Sequence, residues 1–404
     1  MRILQLCHKP PRPALDGGCL AMDAMTTGFL ENGAEVKVLT ASTHNHPIRM
    51  NLLDSAYLES TDLEAVRIET ELDIRDVYVA LLNGDSYTIS RFYAHHHAMV
   101  IKQALSRKRY DVVQLESLYT TPYIDIIRRH APNALIALRS HNHEYQVREQ
   151  RWKAMKNPVQ RLVMRHVTKS LERYEKEVLD KVDVVVAISD GEAGGYRNWG
   201  YSGPLHVSGY GVAAIAVSDL DRHELPRCDR PLRLFHVGAM DWSPNSEGVD
   251  WFISSVWPVL RSRHPELEFH IAGKSLNPTR HAKVPGVFNH GEVLDSDAYA
   301  ADRDLLVVPL LRGAGIRVKI VQAMSRGVPV ATTTEGGHGL GLKNGEGIAL
   351  SEPDSFADCI SEILRQPENL KSLGQHGMNV ARSRFDRRLI ALELMEFYSQ
   401  HIQP

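Results

Sequence analysis

Short apolar runs of β character alternate with longer helical runs along this chain, and the alternation starts twice. That grammar calls for parallel strands joined by crossover helices, because parallel neighbours cannot be linked by tight turns. In the first half the β runs are residues 3–7, 35–39, 111–115, 135–138 and 183–188. Helical runs separate most of them; Leu20–Asn32 is one, closed by Gly33 where a left-handed residue is needed. Val182–Ile188 is apolar apart from Asp183, as expected of a strand buried on both faces. After residue 230 the pattern restarts: strand 232–237, helix 246–263, strand 267–272, strand 305–309, helix 316–326 and strand 328–332.

A chain of 404 residues exceeds one compact core and divides into two domains of ordinary size. We therefore expect two Rossmann-like α/β domains, residues 1–210 and 231–384, with residues 211–230 as linker and 385–404 as a final amphipathic helix. Ligand sites in such sheets lie beyond the carboxyl ends of the strands. Hydrophobic and charged contents of 43% and 24% are those of a globular protein. The net charge of −2 gives no general attraction to nucleic acid. Four scattered cysteines form no C-x-x-C pair, which fits a reducing cytoplasm. The chain opens on a strand-like run rather than a basic leader, and no window is apolar enough to span a membrane.

The most informative stretch runs from Pro309 to Val330. A strand ends, a glycine-bearing loop follows, and a helix begins near Ile316. Glycine lets backbone approach a ligand, and a helix start presents free N–H groups. Arg317 and Lys319 add full positive charge where it opposes the helix dipole, unless an anion such as a diphosphate neutralises it. An ordinary loop with two solvated basic residues is the competing reading.

The run Gly313-Ala-Gly-Ile-Arg-Val-Lys-Ile-Val-Gln-Ala-Met-Ser-Arg-Gly-Val-Pro-Val330 resembles the donor motif of the retaining GT-B glycosyltransferases grouped as glycosyltransferase family 4. Further stretches are similar to that family: Asp16-Gly17-Gly18, Arg139 to Glu144, Ala187-Ile-Ser189, Val237 to Asn245, and Ala301 to Pro309. The resemblance implies a GT-B fold, with two Rossmann-like domains facing each other across a cleft. It implies a metal-independent transfer of a sugar, with retention, from a nucleotide diphosphate sugar to a hydroxyl acceptor in glycan, glycolipid or polysaccharide biosynthesis. Both acidic positions of the family motif are changed here, to Ala314 and Gln322. In the family the first carboxylate contacts the donor sugar and the second the ribose. The Gln322 amide can still bond a ribose hydroxyl, whereas Ala314 offers only backbone. A catalytically silent nucleotide-sugar-binding protein and a GT-B-fold sugar-nucleotide epimerase are therefore the alternatives.

By this resemblance the donor side comprises Gly238, Asn245, Lys274, Ala314, Gly315, Ile316, Arg317, Lys319 and Gln322. The acceptor side comprises Asp16, Gly17, Gly18, Glu116, Arg139, Asn142 and Glu144, with His141 to orient the acceptor. His141, Arg317 and Lys319 are the expected catalytic groups. The departing phosphate oxygen can take the acceptor proton, so the chemistry asks mainly for cations and N–H groups on the diphosphate. No cofactor or metal is expected. Asp295-Ser-Asp297 reads as a helix cap and Asp302-Arg-Asp304 as the entry to a strand. Gly273-Lys274-Ser275 lacks the rest of a P-loop, although Lys274 stands where it can reach a phosphate. Adjacent His95, His96 and His97 point apart on a helix. Between Gln146 and Lys176 nine basic residues stand with Glu149, Glu172 and Glu175. This segment is either a solvated helical face or a peripheral contact for anionic lipid at the inner side of a membrane.

Overall fold

A computed structural model of the chain describes residues 1–71, 86–153, 155–213, 230–293, 295–313 and 315–402. It is an α/β protein in which contacts divide the chain into two units, Met1–Gly211 with Arg387–Pro404, and Val212–Asp386. Most of the expected linker, residues 214–229, lies outside the described residues.

The first unit carries a seven-stranded, all-parallel sheet in the order β3-β2-β1-β4-β5-β6-β7. Its strands are β1 (Arg2–Cys7), β2 (Glu35–Ser42), β3 (Glu64–Arg67), β4 (Val112–Glu116), β5 (Leu135–Ser140), β6 (Val184–Ala187) and β7 (Leu205–Val207). β4 to β6 have every side chain buried, which is why β6 reads as an uninterrupted apolar run and β4 and β5 begin as apolar runs that end in Glu116 and in Arg139 and Ser140. Helix α1 (Gly17–Glu31) follows β1 and turns Met22, Met25 and Phe29 onto one sheet face. After β5 come α2 (Glu144–Lys153) and α3 (Pro158–Glu177), packed as a pair, and α4 (Asp190–Asn198) follows β6.

The second unit carries a six-stranded parallel sheet in the order β10-β9-β8-β11-β12-β13. The strands are β8 (Arg233–Val237), β9 (Glu268–Ala272), β10 (Val287–Asn289), β11 (Leu305–Val308), β12 (Val330–Thr333) and β13 (Ala349–Ser351). The helix expected over 246–263 is interrupted. It runs as α5 (Ser243–Trp251), a π-helical turn over Phe252–Val256, and a resumed helix Trp257–Arg263. Pro258 supplies the reason, since it has no N–H to give and its ring crowds the carbonyl four residues back. The helix expected from Ile316 is shorter, α6 (Val318–Ser325), with Arg317 at its N-cap. Helix α7 (Pro367–Arg384) completes the unit, and Val212 meets Asp386 in a parallel bridge.

Helix α8 (Arg387–Ser399) lies with the first unit, against α1. It buries Ala391, Leu394 and Tyr398 among Met22, Met25 and Phe29. Gly28 permits the approach, because a Cβ there would stand 2.6 Å from the Arg387 carbonyl oxygen. Ending the chain after Asp386 removes three fully buried side chains, at about 2–5 kcal/mol each for the large ones. We expect that truncation to unfold the first unit at growth temperature. Unchanged melting of the truncated chain would overturn this.

Candidate functional site

Both sheets reverse direction in the same way. The chain runs outward from β1 to β3 and returns to place β4 beside β1, and it does so again with β8, β10 and β11. Loops leaving neighbouring strands at such a switch diverge and leave space for a ligand.

In the second unit the switch lies between β8 and β11. Lys319, on the first turn of α6, points its Nζ at Asn245 Oδ1 (3.1 Å) and His236 Nε2 (3.4 Å). Asn245 is buried and fixed by donating to the Ala239 carbonyl at 2.9 Å. His236 is fully buried, and its Nδ1 lies 2.8 Å from the Val307 carbonyl, so that nitrogen carries the proton. Burial holds His236 well below its usual range, which leaves a neutral ring whose Nε2 accepts from the lysine. Gly238 leaves room for this contact, since a Cβ there would lie 2.5 Å from Lys319 Nζ. Burial, and then the Arg317 guanidinium, push Lys319 down to about 7. Lys319 forms no ion pair with a carboxylate among the described residues.

Arg317 is buried, with its guanidinium 5.1 Å from the Trp242 ring centre. Burial lowers it to about 10, and Glu335 opposes that shift. Gly313 (φ +137°) and Gly315 (φ +79°) bend the loop into α6, and a Cβ on Gly313 would lie 2.6 Å from the Arg317 guanidinium. Two cations and the start of a helix with no acidic residue in its first turn thus gather on the β8 and β11 loops. Gln322 stands one turn further along α6, half-buried, and Ile316 is half-buried in the approach to that helix. Ala314 lies outside the described residues. Lys274, just past β9, is mostly exposed and stands 3.9 Å from Asp241.

In the first unit Glu116, the last residue of β4, is fully buried at the centre of a polar network. Its Oε1 accepts from the amides of Gln5 (2.7 Å) and Gln114 (2.6 Å). Its Oε2 accepts from Arg139 (3.1 Å) and His141 Nε2 (2.7 Å). Burial alone would raise this carboxyl, but Arg139, His141 and Gln5 outweigh it and hold the group at about 2. The network extends through Gln114 to the Tyr398 hydroxyl on α8 (2.7 Å) and through Gln5 to Thr26 (2.6 Å). His141 is lowered by burial, with Glu116 opposing, so its neutral ring donates from Nε2 and keeps Nδ1 as an acceptor.

These contacts revise the expectation for Glu116 and Arg139. Both side chains are fully buried and hold His141 in place rather than facing an acceptor. Asp16 caps α1 by accepting from Cys19 N (2.9 Å) and pairs with Lys9, so its carboxylate is already engaged. Gly17 and Gly18 form the first turn of α1, where a Cβ on Gly18 would stand 3.0 Å from Lys9 Nζ. His8, missed by sequence reasoning, lies beside this group, its Nδ1 3.0 Å from both the Glu116 carbonyl and Ser117 Oγ. Ser117 leaves β4 at φ +84°, a strained value for a non-glycine residue. Asn142 is half-buried, and its carbonyl accepts from Ser140 Oγ (3.1 Å). Glu144 accepts from the Tyr119 hydroxyl (2.7 Å) and is raised by burial. The two Asp-x-Asp pairs are occupied: Asp295 caps a short helix, and Asp302 and Asp304 pair with Arg233 and Arg230. No helix among the described residues is long and apolar enough to cross a membrane.

This architecture is the GT-B fold of glycosyltransferases. A sucrose-phosphate synthase from Thermosynechococcus elongatus superposes with a TM-score of 0.68 at 18% identity, covering 99% of both chains. Anabaena HepE in complex with UDP does so with 0.65 at 14% identity, covering 99% of this chain and all of its own. Residues 231–366 match the family model of group 1 glycosyl transferases. A Klebsiella pneumoniae protein described as uncharacterised and in the cps region is 20% identical over 72% of this chain and 74% of its own. Family match and fold together support a nucleotide-sugar glycosyltransferase.

Proposed function

We propose that the chain is a retaining, metal-independent glycosyltransferase that moves a sugar from a nucleoside diphosphate sugar to a hydroxyl acceptor. The observation that carries this reading is Lys319, an ammonium pushed down to about 7 with Asn245 and His236 as its polar neighbours, beside buried Arg317. Lys319 has no carboxylate partner among the described residues, and the departing diphosphate is an anion whose charge grows as the sugar bond breaks. HepE, solved with UDP and with UDP-glucose, supports this donor class.

Gly315 and Ile316 lend backbone N–H groups to the phosphates, Gln322 takes a ribose hydroxyl, and Lys274 adds an exposed charge. On the first unit, His141 Nδ1 accepts from a second hydroxyl of the acceptor and so orients it, while Glu116 fixes the ring. The proton of the reacting hydroxyl passes to the leaving phosphate oxygen, so no strong protein base is needed. Polysaccharide assembly is the setting we favour, in line with the relative from a cps region.

Calorimetric titration of the full chain with UDP, GDP and ADP, each with EDTA present, tests the reading. Binding of one nucleotide at micromolar concentration is expected, and failure of all three would overturn the reading.

A further inference from the structure

Helices α2 and α3 form a hairpin whose far end does not bury itself. No residue of α2 is buried, and on α3 the buried residues are Thr168, Leu171 and Glu175, all in its second half. In the first half Val159 is 70% exposed, Leu162 67% and Val163 52%. Positions i, i+3 and i+4 share one helix face. At about 100° per residue, that face lies roughly 160° around α3 from the side carrying Thr168, Leu171 and Glu175. Packing on the protein's own unit therefore does not account for it.

Charge identifies the occupant. From Gln150 to Leu171 there are six Lys and Arg residues and no Asp or Glu. Arg161, Arg165 and Lys169 recur every fourth position in a row that winds toward the apolar face: Arg165 and Lys169 lie roughly 115° and 75° around α3 from its centre, and Arg161 lies on the far side. Arg165 and Lys169 have no ion pair among the described residues. Trp152 and Met155 are half-buried at the hairpin tip, with the Arg161 guanidinium 5.6 Å from the Trp152 ring centre. An apolar face flanked by unpaired cations matches a bilayer surface of anionic lipid, where side chains enter the acyl boundary and cations meet headgroups. A soluble anion would use the cations and leave the aliphatic face in water.

We propose that the α2–α3 hairpin docks the chain on anionic lipid, with Val159, Leu162 and Val163 inserted and Arg165 and Lys169 on the headgroups. This contact is independent of the sugar-transfer reading, because it needs no nucleotide.

Flotation of the full chain with phosphatidylcholine vesicles, and with vesicles containing about 30% phosphatidylglycerol, tests it. The chain is expected to float only with the anionic vesicles. The combined substitutions Val159→Ser, Leu162→Ser and Val163→Ser, and separately Arg165→Glu with Lys169→Glu, are each expected to weaken binding by more than about tenfold. Since all five side chains are exposed, both variants should melt with the wild type. Wild-type chain that stays with the soluble fraction would overturn the proposal. So would equal binding by both vesicle types, or a dimer in solution that the triple serine variant dissolves.

Discussion

Replacing Glu116 by alanine is expected to cost about 3–5 kcal/mol, because Arg139 is then left without its buried counter-charge and His141 Nε2 without its acceptor. Thermal melting reads this as a fall of roughly 10 °C. The isosteric Glu116→Gln keeps an acceptor but loses the charge, so it should fall between wild type and alanine. A pH dependence separates the charge from the shape. The folded carboxyl at about 2 lies below its ordinary value of 4.5. Its stabilisation is therefore complete above that ordinary value and is lost as pH falls toward 2. The gap between wild type and Glu116→Gln should narrow from pH 5 to pH 3. A constant gap, or an alanine variant that melts with the wild type, would remove Glu116 from the centre of this network.

Lys319→Ala is expected to weaken nucleoside diphosphate binding by about tenfold or more, from a charge-assisted contact of about 1.5–3 kcal/mol. The free protein should not suffer alongside it. Lys319 is lowered from 10.5 to about 7, so around neutral pH the folded chain releases a proton that the unfolded chain keeps. A group shifted down in this way opposes folding at pH 7, and its removal should leave melting equal or higher. Wild-type binding should carry its own pH signature. An anion restores the proton, so affinity should be flat below pH 7 and decline above it by up to about tenfold per unit, while proton uptake grows. Affinity that is unchanged in Lys319→Ala, or in the wild type between pH 7 and 8.5, would place the phosphates elsewhere.

The parallel α/β organisation was legible because strands buried on both faces are mainly apolar: β6 and β11 are so throughout, and β4 and β5 are so except for Gln114, Glu116, Arg139 and Ser140. The short outer strands β3, β7, β10 and β13 left no such run, and at three or four residues each they depend on a neighbour for pairing. The interruption at Phe252–Val256 was foreshadowed by Pro258 but not its form, since a widened turn depends on what the helix packs against. The basic segment 146–176 was visible as charge. Which side chains face outward there depended on how the hairpin seats on its unit.

By itself the sequence determined the two α/β halves, the glycine-bearing loop before α6, and the pairing of Arg317 with Lys319 at a helix start. These are local matters of pattern, turn geometry and i, i+2 spacing. Only the tertiary structure decided what surrounds those groups. His236 lies 83 residues from Lys319, and His8 and Gln5 lie more than 100 from Glu116. Burial, counter-charge and proton position are properties of neighbours in space, and switching strand order at β1/β4 and β8/β11 brings those neighbours together. Glu116 and Arg139 carry the charge expected of a ligand site, yet their full burial makes them the support that holds His141.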